Sequence, residues 1–187
     1  YYMNNVFGSW VLINLITKYN IKHFIFSSSA TVYGKPKYLP INEIHPLSAI
    51  NPYGQNKIDI ENMIINNNYF KDKCVTKILR YFNPVGSYKG LIGEMLKDKP
   101  SNLMPYILSV AIKKNPFLEI FGNDYKTKDG TAIRDYIHIT DLIDAHYLAL
   151  KDNNIGIDIL NVGNGTGYSV YDLVHSFEQI NKIKIPI

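Results

Sequence analysis

The sequence predicts an α/β fold built on a parallel sheet. Segments with the helical spacing of apolar residues alternate with short apolar runs, which is the rhythm of βαβ units. The apolar runs are continuous, as is typical of parallel strands that are covered on both faces. Two of these runs lead into polar segments, at residues 27–31 and 82–86. Because ligands of open parallel sheets bind beyond the carboxyl ends of the strands, a site is expected there.

The first part of the chain predicts a helix, a strand and a loop. Asn4 and Asn5 precede apolar residues spaced by three and four, which indicates an amphipathic helix to about Tyr19. Residues 22–26 (KHFIF) form a predicted strand that ends before a cluster of serines. Residues 32–51 carry a glycine and several prolines without a sustained period, so they are predicted to form a loop.

The rest of the chain continues the alternation. Asn51 suits the N-cap of a helix with Pro52 in its first turn, running to about Asn67. Ser169 suits the N-cap of the last helix. The remaining predicted strands are residues 75–81, 118–121, 134–138 and 157–162, and the remaining helices are residues 103–113, 141–150 and 170–180.

Composition restricts the class of protein. The 187 residues are 46% hydrophobic, enough for one sizeable core, and include no apolar run of about 18 residues. The net charge of +4 comes from dispersed lysines without a basic block among aromatic residues, so neither a membrane nor a nucleic acid is expected as a partner. The single cysteine, Cys74, excludes an internal disulfide and fits a reducing, cytoplasmic compartment.

A tyrosine and a lysine lie four residues apart at the start of the second predicted helix. On a helix Tyr53 and Lys57 share one face, so the ammonium can favour the phenolate form of the tyrosine. An unperturbed phenol has a pKa of about 10, and it needs such help to act as a base near neutral pH. The same spacing occurs on ordinary solvated helix faces, so the pair alone leaves both interpretations open.

Arginine and glycine positions add two smaller predictions. Only two of the basic residues are arginines, Arg80 and Arg134, and the planar fork of Arg134 makes it a candidate anion ligand. Gly163, Gly165 and Gly167 follow a predicted strand, but their spacing is not G-x-G-x-x-G and no acidic residue ends a second strand after them. A structural turn is predicted there.

Seven strings carry a resemblance to a known family. They are, in order, NNVFGS, FIFSSSATVYG, NPYGQNK, LRYFNPVG, SNLMPYI, IFGNDYKTKDGTAIRDYIHITDL and NVGNG. The chain resembles the extended short-chain dehydrogenase/reductases, and among them the UDP-glucose 4-epimerases. The resemblance implies a Rossmann-type doubly wound parallel sheet with a small substrate-binding region. The family's glycine-rich amino-terminal loop and C-terminal substrate clamp have no counterpart here, so we expect an incomplete chain that alone holds NAD weakly.

The residues after the first strand bear on the reaction. Related dehydratases have an Asp-Glu pair where this chain has Ser29 and Ala30, and elimination of water needs those proton carriers. The resemblance therefore implies NAD-dependent oxidation and re-reduction at C4, which interconverts UDP-galactose and UDP-glucose in galactose metabolism. Tyr53 would be the base for the 4′-hydroxyl, Ser29 would hydrogen-bond the same oxygen, and Lys57 would lower the pKa of Tyr53. By position, cofactor contacts are implied for Asn4, Ser27, Ser28, Tyr53, Lys57, Tyr81 and Phe82, and nucleotide-sugar contacts for Ser29, Asn83, Asn102, Leu103, Phe121 and Arg134.

The resemblance also implies an organisation and leaves alternatives. Residues 1–83 would belong to the NAD-binding part, and residues 84–187 mostly to the substrate-binding region, with returning Rossmann elements. Helices that begin near Asn4 and Tyr53 would form a two-fold interface in a homodimer. Residues 94–99 depart from the family's usual sequence in that loop. The open alternatives are an epimerase for a UDP-N-acetylhexosamine, UDP-uronate or UDP-pentose, and a non-catalytic protein that binds NAD or a nucleotide sugar.

Overall fold

Helices and strands make up the fold in the computed structural model, which describes residues 2–95 and 100–187. A π-helical turn, Met3–Phe7, opens the described chain, and a 3-10 turn, Ala30–Tyr33, follows the first strand. In chain order the other elements are α1 (Gly8–Lys18), β1 (His23–Ser29), α2 (Pro52–Ile65), α3 (Asn68–Asp72), β2 (Val75–Tyr81), β3 (Asn83–Val85), α4 (Leu103–Ala111), β4 (Ile133–His138), α5 (Ile139–Lys151), β5 (Gly156–Val162), β6 (Gly167–Ser169) and α6 (Val170–Asn181).

These elements form two compact units, and each unit is built from two separate stretches of chain. The chain leaves the first unit after Phe82 and returns to it at Asp141. The unit boundaries therefore do not follow one division near residue 83, and the roles predicted for the two parts stay predictions. The first unit comprises Tyr1–Phe82 and Asp141–Gly163, and the second comprises Asn83–Thr140 and Asn164–Ile187.

The sheet of the first unit is parallel and runs in the order β1-β2-β5. The middle strand β2 is buried along nearly its whole length, as expected of a strand paired on both sides. Apolar side chains of α1, α2 and α3 pack with β2 into one core, which confirms the predicted α/β fold. The buried members of this core are Ile13, Ile60, Ile64, Tyr69, Phe70, Cys74 and Ile78.

The second unit has a smaller sheet in the order β3-β4-β6. Strand β3 is parallel to β4, and β4 is antiparallel to β6. Helix α6 starts at a capping box, in which the Ser169 hydroxyl accepts from the Asp172 N–H and the Asp172 carboxylate accepts from the Ser169 N–H. The predicted cap at Ser169 is therefore confirmed. The buried core of this unit consists of Ile107, Val110, Leu118, Val174 and Ile185.

The first strand is longer than its apolar run predicts. Ser27, Ser28 and Ser29 continue β1 in register with β2, where Ser29 pairs with Tyr81. The prediction that the strand ends at residue 26 is therefore wrong. Backbone hydrogen bonds to a neighbouring strand hold these residues, and such bonds do not require apolar side chains. The serines lie on the last residues of the strand rather than in the loop after it.

Other predictions fail where the pattern is shortest. Residues 118–121 form no strand; Leu118 is buried in the second core, and its N–H donates to the Pro186 carbonyl instead of to a strand. The five-residue α3 and the three-residue β3 and β6 are too short to show a period, and the sequence did not indicate them. Of the unusual loop at residues 94–99, residues 96–99 lie outside the described residues.

Within residues 2–95 and 100–187, no helix is long and apolar enough to cross a membrane.

Candidate active site

The start of α2 brings the predicted tyrosine and lysine together. The Asn51 side chain accepts from the Gly54 N–H at 2.7 Å and Pro52 lies in the first turn, so the helix begins where the sequence predicts. Lys57 Nζ lies 5.5 Å from the centroid of the Tyr53 ring. It also donates to the Ser27 carbonyl oxygen at 2.7 Å, which ties α2 to the end of β1.

Lys57 is partly buried among aromatic rings. Burial lowers the pKa of Lys57, and the Glu61 carboxylate one helical turn further on partly opposes this shift. Lys57 Nζ also lies 4.9 Å from the centroid of the Phe26 ring. A cation beside aromatic rings and partly out of water is screened less than a solvated one. Lys57 is therefore a partly desolvated cation beside the ring of Tyr53, which itself is 39% exposed.

A glycine allows the first turn of α2 to lie against the 3-10 turn that follows β1. A Cβ added to Gly54 would lie 2.7 Å from the Thr31 carbonyl oxygen and 3.0 Å from the Ala49 Cβ. Side-chain carbons do not approach backbone atoms this closely. Gly54 therefore sets the distance between the turn that begins after Ser29 and the helix that carries Tyr53.

Hydrogen bonds fix the role open to the Ser29 hydroxyl. Its oxygen accepts from the Thr31 N–H at 3.2 Å and from the Thr31 hydroxyl at 2.9 Å. A hydroxyl oxygen has two acceptor lone pairs and one hydrogen. Because Thr31 occupies both lone pairs, Ser29 keeps its hydrogen as a donor at the carboxyl end of the sheet.

The two other serines differ in what they contact. Ser27 is exposed, and its hydroxyl lies 2.7 Å from the hydroxyl of Tyr81 at the end of β2. Burial raises the pKa of Tyr81, with the Ser27 hydrogen bond acting in the opposite direction. The side chain of Ser28 points into the core, where its hydroxyl donates to Glu61 at 2.5 Å. The Ser28 side chain is therefore not free to contact a cofactor, and only the backbone atoms of Ser28 could do so.

Sequence reasoning missed a buried charged network beneath these residues. Glu61 of α2 is fully buried and accepts from two guanidinium nitrogens of Arg80, at 2.6 and 3.1 Å. Arg80 Nη1 also donates to the Tyr33 hydroxyl at 2.9 Å, and the Tyr33 hydroxyl donates to Asn161 at 2.6 Å. The network joins α2, β2, β5 and the 3-10 turn after β1. Its only signal in the sequence was an arginine inside a predicted strand.

The remaining predicted cofactor contacts lie in the first unit. Asn4 is exposed on the π-helical turn, and Phe82 is half-buried with its N–H donating to the Val162 carbonyl at 3.0 Å. Direct contacts link four of the predicted residues in this unit. Lys57 contacts the Tyr53 ring and the Ser27 carbonyl, and Ser27 contacts Tyr81. The sequence left open that Tyr53 and Lys57 lie on an ordinary solvated helix face. Lys57 is half-buried, so that alternative does not apply to it.

The predicted nucleotide-sugar contacts, apart from Ser29, lie in the second unit. Phe121 is 78% exposed, so it is not the core aromatic that phenylalanine usually is. Asn102 donates to the Glu94 carboxylate at 3.1 Å and precedes Leu103, which is half-buried at the start of α4. Arg134 is exposed, as is Asn83 of β3.

The glycine turn is a structural turn, as predicted. The carboxylate of Asp135 accepts from the N–H groups of Asn164 and Gly165, at 2.7 and 2.8 Å. Those N–H groups are therefore committed and do not form a phosphate cradle. Because the Asp135 carboxylate binds these N–H groups, it does not pair with the neighbouring Arg134. Arg134 donates instead to the Ile133 carbonyl at 2.8 Å.

His138 makes a local hydrogen bond, with its Nδ1 2.7 Å from the hydroxyl of Thr140. Among residues 2–95 and 100–187, no three histidine, cysteine or acidic side chains are placed to hold a metal ion.

The chain matches a known protein family and several proteins of that family. A model of the NAD dependent epimerase/dehydratase family matches residues 1–163. The chain belongs to this family. It is 50% identical over 190 residues to UDP-glucose 4-epimerase of Pasteurella multocida (strain Pm70) and 47% identical over 189 residues to that of Bacillus subtilis (strain 168). The resemblance found in the sequence motifs is thereby confirmed.

A solved structure of the family has the same fold. The crystal structure of UDP-glucose 4-epimerase from Bifidobacterium longum in complex with NAD+ and UDP superposes with a TM-score of 0.92 at 41% identity. That match covers 100% of this chain and 56% of the other, and both sequence alignments likewise cover 100% of this chain and 56% of the relative. The chain therefore has the Rossmann-type fold of the family and spans about half the length of the relatives it matches.

Proposed function

We propose that the full-length protein interconverts UDP-galactose and UDP-glucose by inverting C4 of the hexose, with NAD as its bound cofactor. The proposal is supported by family membership and by relatives that are 47–50% identical over the whole of this chain. The observation that carries it is the placement of Lys57 Nζ 5.5 Å from the Tyr53 ring and 2.7 Å from the Ser27 carbonyl. This supports Tyr53 as a base at the carboxyl end of β1.

The polar groups at this end of the sheet fit a nicotinamide nucleoside. Lys57 offers an ammonium, and Ser27 and Tyr81 offer hydroxyls, within one hydrogen-bonded group. These are neutral or cationic donors suited to ribose and amide oxygens. When bound, NAD would take a hydride from C4 of the sugar and return it. No phosphate-binding turn is assigned to the described residues, because Asp135 occupies the N–H groups of the glycine turn.

The residues of this chain then handle the proton of the 4′-hydroxyl. Tyr53, as a phenolate, takes that proton as the alcohol is oxidised, and it gives the proton back on re-reduction. Lys57 stabilises the phenolate by its charge. Ser29 donates its remaining hydrogen to the same sugar oxygen, since both of its lone pairs are held by Thr31. Ala30, where dehydratases have an acid, provides no group for the removal of water.

The second unit would hold the nucleotide part of the substrate. Arg134 is exposed, and within residues 2–95 and 100–187 its guanidinium donates to one backbone carbonyl, that of Ile133, so we propose that its fork binds a diphosphate. The exposed ring of Phe121 suits stacking on a base. Asn83, Asn102 and Leu103 complete the proposed contacts. In this proposal residues up to 83 serve mainly the cofactor, and residues 84–187 serve mainly the substrate.

We also propose a homodimer in the cytoplasm. Helix α1 and the turn before it expose Phe7, Trp10, Leu12 and Leu15, each at least 42% exposed, and rings of Phe7 and Trp10 stack at 5.6 Å. Exposed apolar groups of this size mark protein contacts, and a second copy of this chain would cover them. The buried free thiol of Cys74 fits a reducing compartment.

The test is an assay of the full-length protein with UDP-galactose. Wild type should produce UDP-glucose and should contain NAD after purification. Tyr53→Phe should lower kcat by about 100-fold to 10,000-fold, because the base is lost. Tyr147→Phe, which removes a hydroxyl from an exposed tyrosine of α5, should leave kcat unchanged.

Three results would overturn parts of the proposal. Normal turnover by Tyr53→Phe would remove Tyr53 as the base. Conversion of a UDP-N-acetylhexosamine, a UDP-uronate or a UDP-pentose, with UDP-galactose untouched, would replace the substrate. Binding of NAD or a UDP-sugar without conversion of any of them would identify a non-catalytic binding protein.

A further inference from the structure

Three side chains from separate elements of the first unit form a continuous hydrogen-bonded chain. The hydroxyl of Ser27 on β1 lies 2.7 Å from the hydroxyl of Tyr81 on β2. The Tyr81 hydroxyl lies 2.5 Å from Nε2 of His146 on α5. The other ring nitrogen of His146, Nδ1, lies 2.8 Å from the carbonyl oxygen of Leu142, one turn earlier in the same helix. The chain therefore runs from a helix backbone to the predicted cofactor contacts.

The carbonyl at one end fixes the direction of the whole chain. A carbonyl oxygen only accepts, so Nδ1 of a neutral His146 must carry the ring hydrogen and Nε2 must be an acceptor. The one hydrogen available between Nε2 and Tyr81 is that of the phenol. For this tautomer Tyr81 donates to His146, and the Tyr81 oxygen accepts the hydroxyl hydrogen of Ser27. The Tyr81 hydroxyl then has both a donor partner, Ser27, and an acceptor partner, His146.

Ser27 is consequently held from two sides. Its carbonyl oxygen accepts from Lys57 Nζ at 2.7 Å, and its hydroxyl lies 2.7 Å from the Tyr81 hydroxyl. The rings of Tyr81 and His146 also contact each other, with centroids 5.5 Å apart. His146 is half-buried, so it does not itself reach the exposed side of Ser27. It acts on the end of the sheet through the phenol.

We propose that His146 is a positioning residue for cofactor binding, because its Nε2 anchors the Tyr81 phenol and thereby sets the orientation of the Ser27 hydroxyl beside Lys57. The inference rests on the proposed function only in taking NAD as the cofactor. Without the acceptor, the phenol hydrogen turns to Ser27 and the serine hydroxyl is released from its orientation. Hydrogen-bonded chains polarise along their length, so loss of one end weakens the other bonds as well.

The first test compares two substitutions of His146 in the full-length protein. The amide oxygen of His146→Gln can accept near the position of Nε2, whereas His146→Leu fills the space without an acceptor. The dissociation constant of NAD for the apoprotein is measured by calorimetry, with the melting temperature of the ligand-free protein as a second readout. His146→Leu should weaken NAD binding by about tenfold, the effect of one ordinary hydrogen bond, and His146→Gln should recover most of this loss.

A double variant separates action through Tyr81 from a merely structural effect. Tyr81→Phe should weaken NAD binding at least as much as His146→Leu does, and combining the two should add nothing further. The ring nitrogens of His146 should give the nitrogen NMR signals of the Nδ1–H tautomer in wild-type protein at neutral pH.

Several outcomes would overturn the inference. They are wild-type NAD affinity in His146→Leu, an equal loss in His146→Gln and His146→Leu, additive losses in the double variant, or an Nε2–H tautomer. These readouts use NAD binding and the imidazole signal, not sugar conversion. Failure of the wild type to convert UDP-galactose would contradict the proposed function and leave this inference in place.

Discussion

Replacing Gly54 by alanine should lower both the stability and the activity of the protein, because Gly54 lies in close contact with the turn after Ser29. The added Cβ would lie 2.7 Å from the Thr31 carbonyl oxygen, 3.2 Å from the Thr31 carbonyl carbon and 3.0 Å from the Ala49 Cβ. Two of these three atoms belong to the backbone, so no side chain can rotate to make room. Either α2 or the turn after Ser29 must move.

The size of the effect follows from two opposing contributions. Overpacking of this kind costs about 1–3 kcal/mol, while alanine in place of glycine favours a helix by up to about 1 kcal/mol. We therefore expect Gly54→Ala to lower the free energy of unfolding by about 1–2 kcal/mol. The displaced turn begins at Ser29 and the displaced helix turn carries Tyr53. A misplacement of about 1 Å between such groups can lower kcat by about 100-fold.

The assay is a urea titration of the full-length protein together with kcat for UDP-galactose. Gly8→Ala is the matched control, because a Cβ at this helical glycine meets no atom within 4 Å. Oligomeric state is followed by size-exclusion chromatography, since Gly8 lies on the helix of the proposed dimer interface. Gly8→Ala should be as stable as wild type or slightly more so, with unchanged kcat. If Gly54→Ala matched Gly8→Ala in both measurements, the argument from close approach would be wrong.

Two further predictions concern charges. Glu61→Gln should lower the free energy of unfolding by about 3–5 kcal/mol, because it leaves the buried guanidinium of Arg80 without its counter-charge. Urea titration should show that Glu61→Leu combined with Arg80→Met recovers much of this loss, and no recovery would contradict the explanation. A hydrogen bond from Lys128, with the Ser169 N–H, lowers the pKa of Asp172 to about 2, so this carboxylate stabilises the protein above its unfolded pKa of about 3.8. That contribution is lost as the pH falls towards about 2. Asp172→Asn should therefore reduce the fall of the melting temperature between about pH 4 and pH 2. If the melting temperature of the variant fell with pH as steeply as that of the wild type, the assignment would be refuted.

Local spacing predicts the part of the site that lies on one helix. Tyr53 and Lys57 share a face because they are four residues apart, and Asn51 and Pro52 mark where that helix begins. All of this information lies within seven residues of sequence. The cap of α6 at Ser169 was predictable for the same reason. Motif resemblance then supplied the reaction, which spacing alone could not.

Residues far apart in sequence account for what was missed. Arg80 meets Glu61 from 19 residues away, and Tyr81 meets His146 from 65 residues away. No periodicity links such positions, so these contacts appear only when the strands and helices pack. The serine end of β1 was missed for a related reason, because its pairing with β2 depends on backbone groups rather than on apolar side chains.

The most direct test of the central claim follows the hydrogen at C4 of the sugar. The full-length protein is incubated with UDP-galactose in D₂O, and deuterium at C4 of the product is measured by mass spectrometry and NMR. If C4 is inverted by removal and return of a hydride, with Tyr53 handling only the hydroxyl proton, the product should carry no deuterium at C4. Incorporation of about one deuterium at C4 per turnover would show that a proton is removed from the carbon itself and would contradict the account.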